Sequence, residues 1–180
     1  MEAALAPHAR ELGPPEPAKG AIRVDMGPQD DEFGGARALF LDSEWVISAT
    51  SDRMGYRIEG PKIVHTKGHN IVSDGTVNGS VQVPGSGQPI VLMMDRGTTG
   101  GYPKIATVIG ADLGRFAQMP AGSKFRFVAI SVQDAQVEAK KLSAFLTSLP
   151  NLIRAAGSSN LNLDELQRAN VAGAAVNAID

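Results

Sequence analysis

The chain has 180 residues, 43% hydrophobic and 20% charged, with a formal net charge of −2 and no cysteine. That balance fits one globular domain with some terminal material, and it gives no basis for nucleic acid or an anionic membrane as partner. The missing cysteines exclude disulfides, thiol catalysis and Cys-type zinc sites. Residues 1–20, MEAALAPHARELGPPEPAKG, carry four prolines and no apolar core. They are expected to form a disordered lead-in or linker rather than a signal peptide. No stretch reaches the roughly 20 apolar residues that span a bilayer, so a soluble cytoplasmic protein is expected.

Residues 21–132 have the texture of a β domain. Short β-rich runs, AIRV (21–24), WVISAT (45–50), YRIEG (56–60), IVSDG (71–75), SVQVPGSGQPIVLMM (80–94), KIATVI (104–109) and KFRFVAI (124–130), are separated by Gly and Pro. That pattern predicts many short strands joined by tight turns. PGSGQP at 84–89 reads as a hairpin or loop. The alternation through Phe125 and Phe127 predicts a strand with one buried face, and the unbroken apolar run IVLMMD (90–95) a central strand buried on both sides. The fold class is therefore all-β, a small barrel, because closure removes exposed sheet edges. Residues 133–180 are expected to form a helical extension. DAQVEAKKLSAFLTSL predicts one amphipathic helix ended by Pro150, and Asn162 with Glu165 a capping box for a second short helix.

Three segments are too polar and glycine-rich for plain sheet. In SDRMGYRIEGP (51–61), Arg53 is able to fork onto a carboxylate, or Arg53, Arg57, Asp52 and Glu59 form cross-strand surface pairs. In DGTVNGSVQVPGSGQPI (74–90), Gln82 lies between two strand valines and faces either a pocket or solvent. The densest cluster is MDRGTTGGYPK (94–104). Thr98, Thr99, Gly100 and Gly101 offer hydroxyls and open backbone N–H groups for an anion, Asp95 a base or orienting carboxylate, and Lys104 a countercharge. The alternative is an elaborate turn in which Asp95 caps backbone amides. The spacing is not that of a P-loop, and the histidines His65 and His69 lie in loop-like sequence, so neither a P-loop nucleotide site nor a metal is expected.

The strings GPQDDEF (27–33), SDRMGYRIEGP (51–61), SDGTVNGSVQVPGSGQPIVLMMDRGTTGGYPKIATVIGADL (73–113) and FAQMPAGSKFRF (116–127) resemble the C-terminal half of the allophanate hydrolase subunit 2, or biotin-dependent carboxyltransferase, family. The resemblance implies a cyclophilin-like β-barrel, with Gly97 standing where the family has Gln. It also implies a polar site for a small amide-type substrate, with Arg53, Tyr56, Gln82, Gly100, Gly101 and Tyr102 binding it. Asp95, Lys104, Thr98 and Thr99 would carry the chemistry. The family's N-terminal half is missing, so that half is an expected partner, together with subunits of the KipI-like A/B type.

Three functions are compatible with the resemblance. The first is a component of ATP-dependent ring opening of 5-oxoproline to glutamate, with ATP used by the complex and no cofactor on this chain. The second is the carboxyltransferase half of a biotin-dependent urea carboxylase, served by a separate biotin carrier. The third is a non-catalytic binding module resembling the KipI antagonist.

Overall fold

The run Lys124–Ala129 alternates, with Phe125 and Phe127 buried and Lys124, Arg126 and Val128 facing outward or half out. This single run joins the two edges of the sheet. The structure is a computed structural model describing residues 20–152, and those up to Thr147 lie in one compact unit. The expected lead-in, the Asn162–Glu165 capping box and the C-terminal tail fall outside the described residues.

The strands are β1 (Ile22–Met26), β2 (Trp45–Ile47), β3 (Gly55–Glu59), β4 (Asp74–Gly75), β5 (Ser80–Gln82), β6 (Ile90–Leu92), β7 (Thr99–Gly100), β8 (Lys104–Val108), β9 (Lys124–Phe125) and β10 (Phe127–Ala129). The helices are α1 (Ala36–Asp42), α2 (Gly110–Phe116) and α3 (Val132–Leu152), with a 3-10 turn at Asp30–Phe33. Eight strands form one sheet in the order β10-β1-β8-β5-β6-β3-β2-β9, while β4 and β7 make a separate two-stranded pair. Neighbours are antiparallel except β1 and β10, which are parallel. The end strands, β9 and β10, are consecutive in the chain and separated only at Arg126. The sheet is thus a nearly closed barrel, and the all-β barrel expected from the sequence is the fold observed.

The core follows from the inward-facing positions. Val24, Trp45, Ile58, Val81, Val91 and Ile105 fill the interior from six strands, and Phe33, Phe40 and Phe116 close it from the short helical segments. Phe40 stacks on Phe127 with ring centroids 4.5 Å apart, and Phe125 meets Phe127 and Phe116 edge-on at 5.1 and 5.5 Å. These are favoured aromatic geometries. The Trp45 indole N–H donates to the Phe40 carbonyl at 2.9 Å.

Two expectations change. The run at 90–95 is central in the sheet but alternates: Val91 and Met93 point inward, Ile90 and Leu92 are half-buried, and Met94 is 73% exposed. Its outer face is covered only in part, so an apolar run here does not mean burial on both sides. Pro150 lies inside α3 rather than ending it. Proline removes one helical N–H bond, which an exposed helix tolerates when water takes the freed carbonyl. Helices α1 and α2, seven residues each, carry too few turns for their period to be seen in the sequence.

A buried carboxylate ties the helices to the barrel. Asp112, in the first turn of α2, is fully buried. It accepts from the Arg23 amide at 2.8 Å, the Arg23 side chain at 2.6 Å and the Arg115 side chain at 2.7 Å. Arg23 reaches on to Glu138 of α3 at 2.9 Å. Burial pushes the Asp112 carboxyl up, but hydrogen bonds from the Arg23 side chain, the Arg115 side chain and the Arg23 amide outweigh it and hold it down at about 2. A carboxyl depressed by folding contributes stability that is complete above about pH 4 and is lost as pH falls through 2. The depression corresponds to about 2 kcal/mol. Urea unfolding should therefore show stability falling more steeply between pH 4 and pH 2 for the native chain than for Asp112→Asn. Parallel curves for the two proteins would contradict this account of the clamp.

Candidate functional site

Lys104 opens β8 and is only 2% exposed, so its ammonium needs a partner inside the protein. The Nζ donates to Asp74 Oδ2 at 2.9 Å, and Gln29 Nε2 donates to the same oxygen at 3.2 Å. The Gly75 amide donates to the other carboxylate oxygen at 2.8 Å. Gln29 also brackets the lysine backbone, accepting from the Lys104 N–H at 3.1 Å and donating its own N–H to the Lys104 carbonyl at 3.0 Å. The Lys104 hydrogen bond, then those of Gln29 and Gly75, hold the Asp74 carboxyl below the usual carboxylate range. The Asp74 side chain is 51% exposed. A buried cation is thus neutralised by an anion that still touches solvent.

The residues around this pair come from two loops that pair with each other. Strand β4 lies against β7, with Asp74 opposite Gly100 and Gly75 opposite Thr99. The pairing is extended at both ends by Ile71 N–H to Gly101 O at 2.9 Å and Thr76 N–H to Thr98 O at 3.0 Å. The buried Thr76 hydroxyl adds a bond to Gly97 O at 2.6 Å. Beneath this flap lies Gln82, opposite Lys104 in the β5–β8 register and next to a bulge at Val81/Gln82. Gln82 is 7% exposed, and its Nε2 is buried without a hydrogen-bond partner among the described residues. A Cβ on Gly100 would stand 2.2 Å from that nitrogen, so any larger residue there would have to displace the end of the Gln82 side chain.

The expected site residues divide between several places. Lys104, Gln82, Thr98, Thr99, Gly100 and Gly101 belong to the flap region, with the Thr98 and Thr99 side chains exposed and Tyr102 beside them at 40% exposure. Arg53 and Asp95 form a separate ion pair at 3.1 Å, with side chains 90% and 45% exposed. The Asp95 N–H also donates to the Arg53 carbonyl at 3.0 Å. Tyr56 points toward α2, donating its hydroxyl to Ala117 O at 2.7 Å and packing on Phe116 at 5.4 Å. The carboxylate facing Lys104 is Asp74, not Asp95. Asp74, Gln29 and Thr76 are site residues that the sequence reading misses. Their importance comes from pairing across 30 and 75 residues, which no local spacing reveals.

His65 bonds Val83 O at 2.9 Å and packs on Phe33, and its ring lies 6.3 Å from that of His69. Among the described residues no group of three His, Cys, Asp or Glu side chains is placed to hold a metal ion, and no helix is long and apolar enough to cross a membrane.

The flap with its buried lysine and amide stands on a sequence that matches the carboxyltransferase domain, subdomain A and B, over residues 2–129. The chain belongs to that family. It is 46% identical over 111 residues to a 5-oxoprolinase subunit of Haemophilus influenzae, covering 62% of this chain and 36% of that protein. A putative urea carboxylase of Emericella nidulans is 28% identical over 134 residues, covering 68% of this chain and 11% of that one. The Kluyveromyces lactis urea amidolyase has the same fold, with a TM-score of 0.63 at 23% identity over 71% of this chain and 9% of its own. The chain thus spans little more than a third of the Haemophilus relative's length.

The packing of Gly100 on Gln82 is directly testable. Gly100→Ala is expected to push the terminal amide of Gln82 aside and to destabilise the chain by about 1 kcal/mol, the low end of overpacking, because the atom in the way is the end of a flexible side chain. Gly100→Ala combined with Gln82→Ala should regain most of that loss, because the colliding amide is gone. Thermal or urea unfolding of the single and double variants reads the coupling, and strictly additive effects would rule out the contact.

Proposed function

We propose that this chain supplies part of the substrate site of a 5-oxoprolinase, which opens the ring amide of 5-oxoproline to give glutamate at the expense of ATP. The observation that carries the reading is a buried Lys104 ammonium beside the unpartnered Gln82 amide, in a chain 46% identical to a 5-oxoprolinase subunit. In this reading the Lys104 ammonium and Gln82 Nε2 hold the substrate's carboxylate, which fixes the ring carbonyl beside the flap, where water attacks the amide carbon. The exposed Thr98 and Thr99 hydroxyls are further donors for the oxyanion, and the ring C–N bond then breaks as the proton of the attacking water passes to the ring nitrogen, which becomes the amine of glutamate. Arg53 and Asp95, exposed on the neighbouring turn, orient the loop. Tyr56 and Tyr102 shape its surroundings. ATP is used elsewhere in the assembly, whose other members are the N-terminal counterpart of the family and KipI-like subunits, and the work takes place in the cytoplasm.

The urea carboxylase likeness favours a second reading, carboxyl transfer from a separate biotinyl carrier, at lower identity. The deciding experiment combines this chain with its N-terminal counterpart and partner subunits and measures ATP-dependent glutamate release from 5-oxoproline. A parallel arm supplies urea, bicarbonate and biotinyl carrier. Glutamate release that falls about 100-fold in Lys104→Met, at unchanged assembly, is the expected result. Asp95→Ala should cost far less, because its partner Arg53 is almost fully exposed. Turnover of urea alone by the assembled complex would replace the first reading with the second.

A further inference from the structure

We infer that Asp74 is the internal occupant of a carboxylate subsite formed by Lys104, Gln29 and Gln82, and that a carboxylate of the substrate takes its place. The identity of that substrate rests on the oxoprolinase reading, but the subsite stands on its own geometry.

Two donors converge on one carboxylate oxygen of Asp74, Lys104 Nζ at 2.9 Å and Gln29 Nε2 at 3.2 Å. The donors and the acceptor are unequally placed. Lys104 is 2% exposed and Gln82 7%, and Lys104 is carried on a barrel strand with pairing on both sides. Asp74 is half exposed and sits on a two-residue strand whose preceding residues, from Thr66 to Ser73, are exposed or half-exposed. Rotation about the Asp74 side chain moves the carboxylate into water without breaking the Ile71–Gly101 or Thr76–Thr98 backbone bonds. The ammonium has no such exit. Burying it uncompensated is costly, so the movement is favourable only if another anion arrives.

Gln82 gives the second, independent indication. Its amide nitrogen is buried, lacks a protein partner among the described residues and lies against Gly100, the cross-strand partner of Asp74. Asp74 does not satisfy this donor, because its second oxygen is held by the Gly75 amide, whereas an incoming carboxylate has both oxygens free to accept. The chemical class is therefore a small monoanion with a planar carboxylate, as 5-oxoproline has.

An occupied subsite lowers apparent affinity by the fraction of time it is free, so removing the internal carboxylate should tighten anion binding. The test is an NMR titration of the full 180-residue chain with acetate, 5-oxoproline and 2-pyrrolidinone, which keeps the ring amide but lacks the carboxylate. Asp74→Ala is expected to lower the apparent Kd for acetate and 5-oxoproline about tenfold and to leave 2-pyrrolidinone unchanged. Asp74→Asn, which preserves the side-chain shape, should give the same direction, and adding Lys104→Met should abolish the gain. Carboxylate affinity that is unchanged or weaker in both Asp74 variants overturns the inference. A gain for acetate without one for 5-oxoproline keeps the carboxylate subsite and contradicts the oxoprolinase reading.

Discussion

A lysine almost wholly hidden from solvent sets the terms for this end of the barrel. Lys104 begins β8, a strand hydrogen-bonded to β1 on one side and β5 on the other, so its position is set by the sheet. Its charge must then be met by groups from elsewhere. Gln29 comes from the turn after β1, where it is locked to the lysine backbone by reciprocal bonds. Asp74 arrives on the flap that β4 makes with β7. On that flap Gly100 lies directly against the Gln82 amide. Sheet, turn and flap are thus organised around one buried cation, and the low local dielectric makes each of its bonds stronger and each loss more costly.

The barrel provides the rigidity this arrangement needs. A single run, 124–129, pairs with β2 at one end and β1 at the other, so the eight strands close with one short interruption at Arg126. The aromatic stack of Phe40, Phe127, Phe125 and Phe116 fills the space beside that closure. On the outside, Asp112 and Arg23 fasten α2 and the start of α3 to β1. The charged clamp at Asp112 and the charged pair at Lys104 differ in a telling way. At Asp112 the buried member is the anion, it receives three strong donors, and the arrangement is saturated. At Lys104 the buried member is the cation, its anion is half in water, and a neighbouring donor is left over. Saturation suits a structural clamp and incompleteness suits a binding site.

Much of this is legible in the amino-acid sequence, and the reasons differ from residue to residue. Strands announce themselves because Phe125 and Phe127, or Val81 and Val83, report a buried face through local composition. The 94–104 loop stands out because an acid, two threonines, three glycines and a lysine seldom crowd together in plain sheet. Gln82 reads equally as pocket or solvent, since a polar residue between valines looks the same in both. The partner of Lys104 is invisible. Asp95 is the nearer carboxylate in sequence, but the strand end turns it toward Arg53, while register brings Asp74 from 30 residues away. Tyr56 is a binding residue by resemblance, and strand alternation sends its ring to α2. Long-range register, rather than local spacing, decides which carboxylate faces Lys104.

The most direct test looks at the ammonium group itself. Proton–nitrogen NMR of the lysine side chains at mildly acidic pH resolves ammonium groups that are shielded from exchange with water. A buried Lys104 held by Asp74 and Gln29 predicts a distinct, slowly exchanging signal, lost in Lys104→Met and shifted on addition of 5-oxoproline. A Lys104 ammonium that exchanges like those of the surface lysines, and that ignores 5-oxoproline, would contradict the account at its centre.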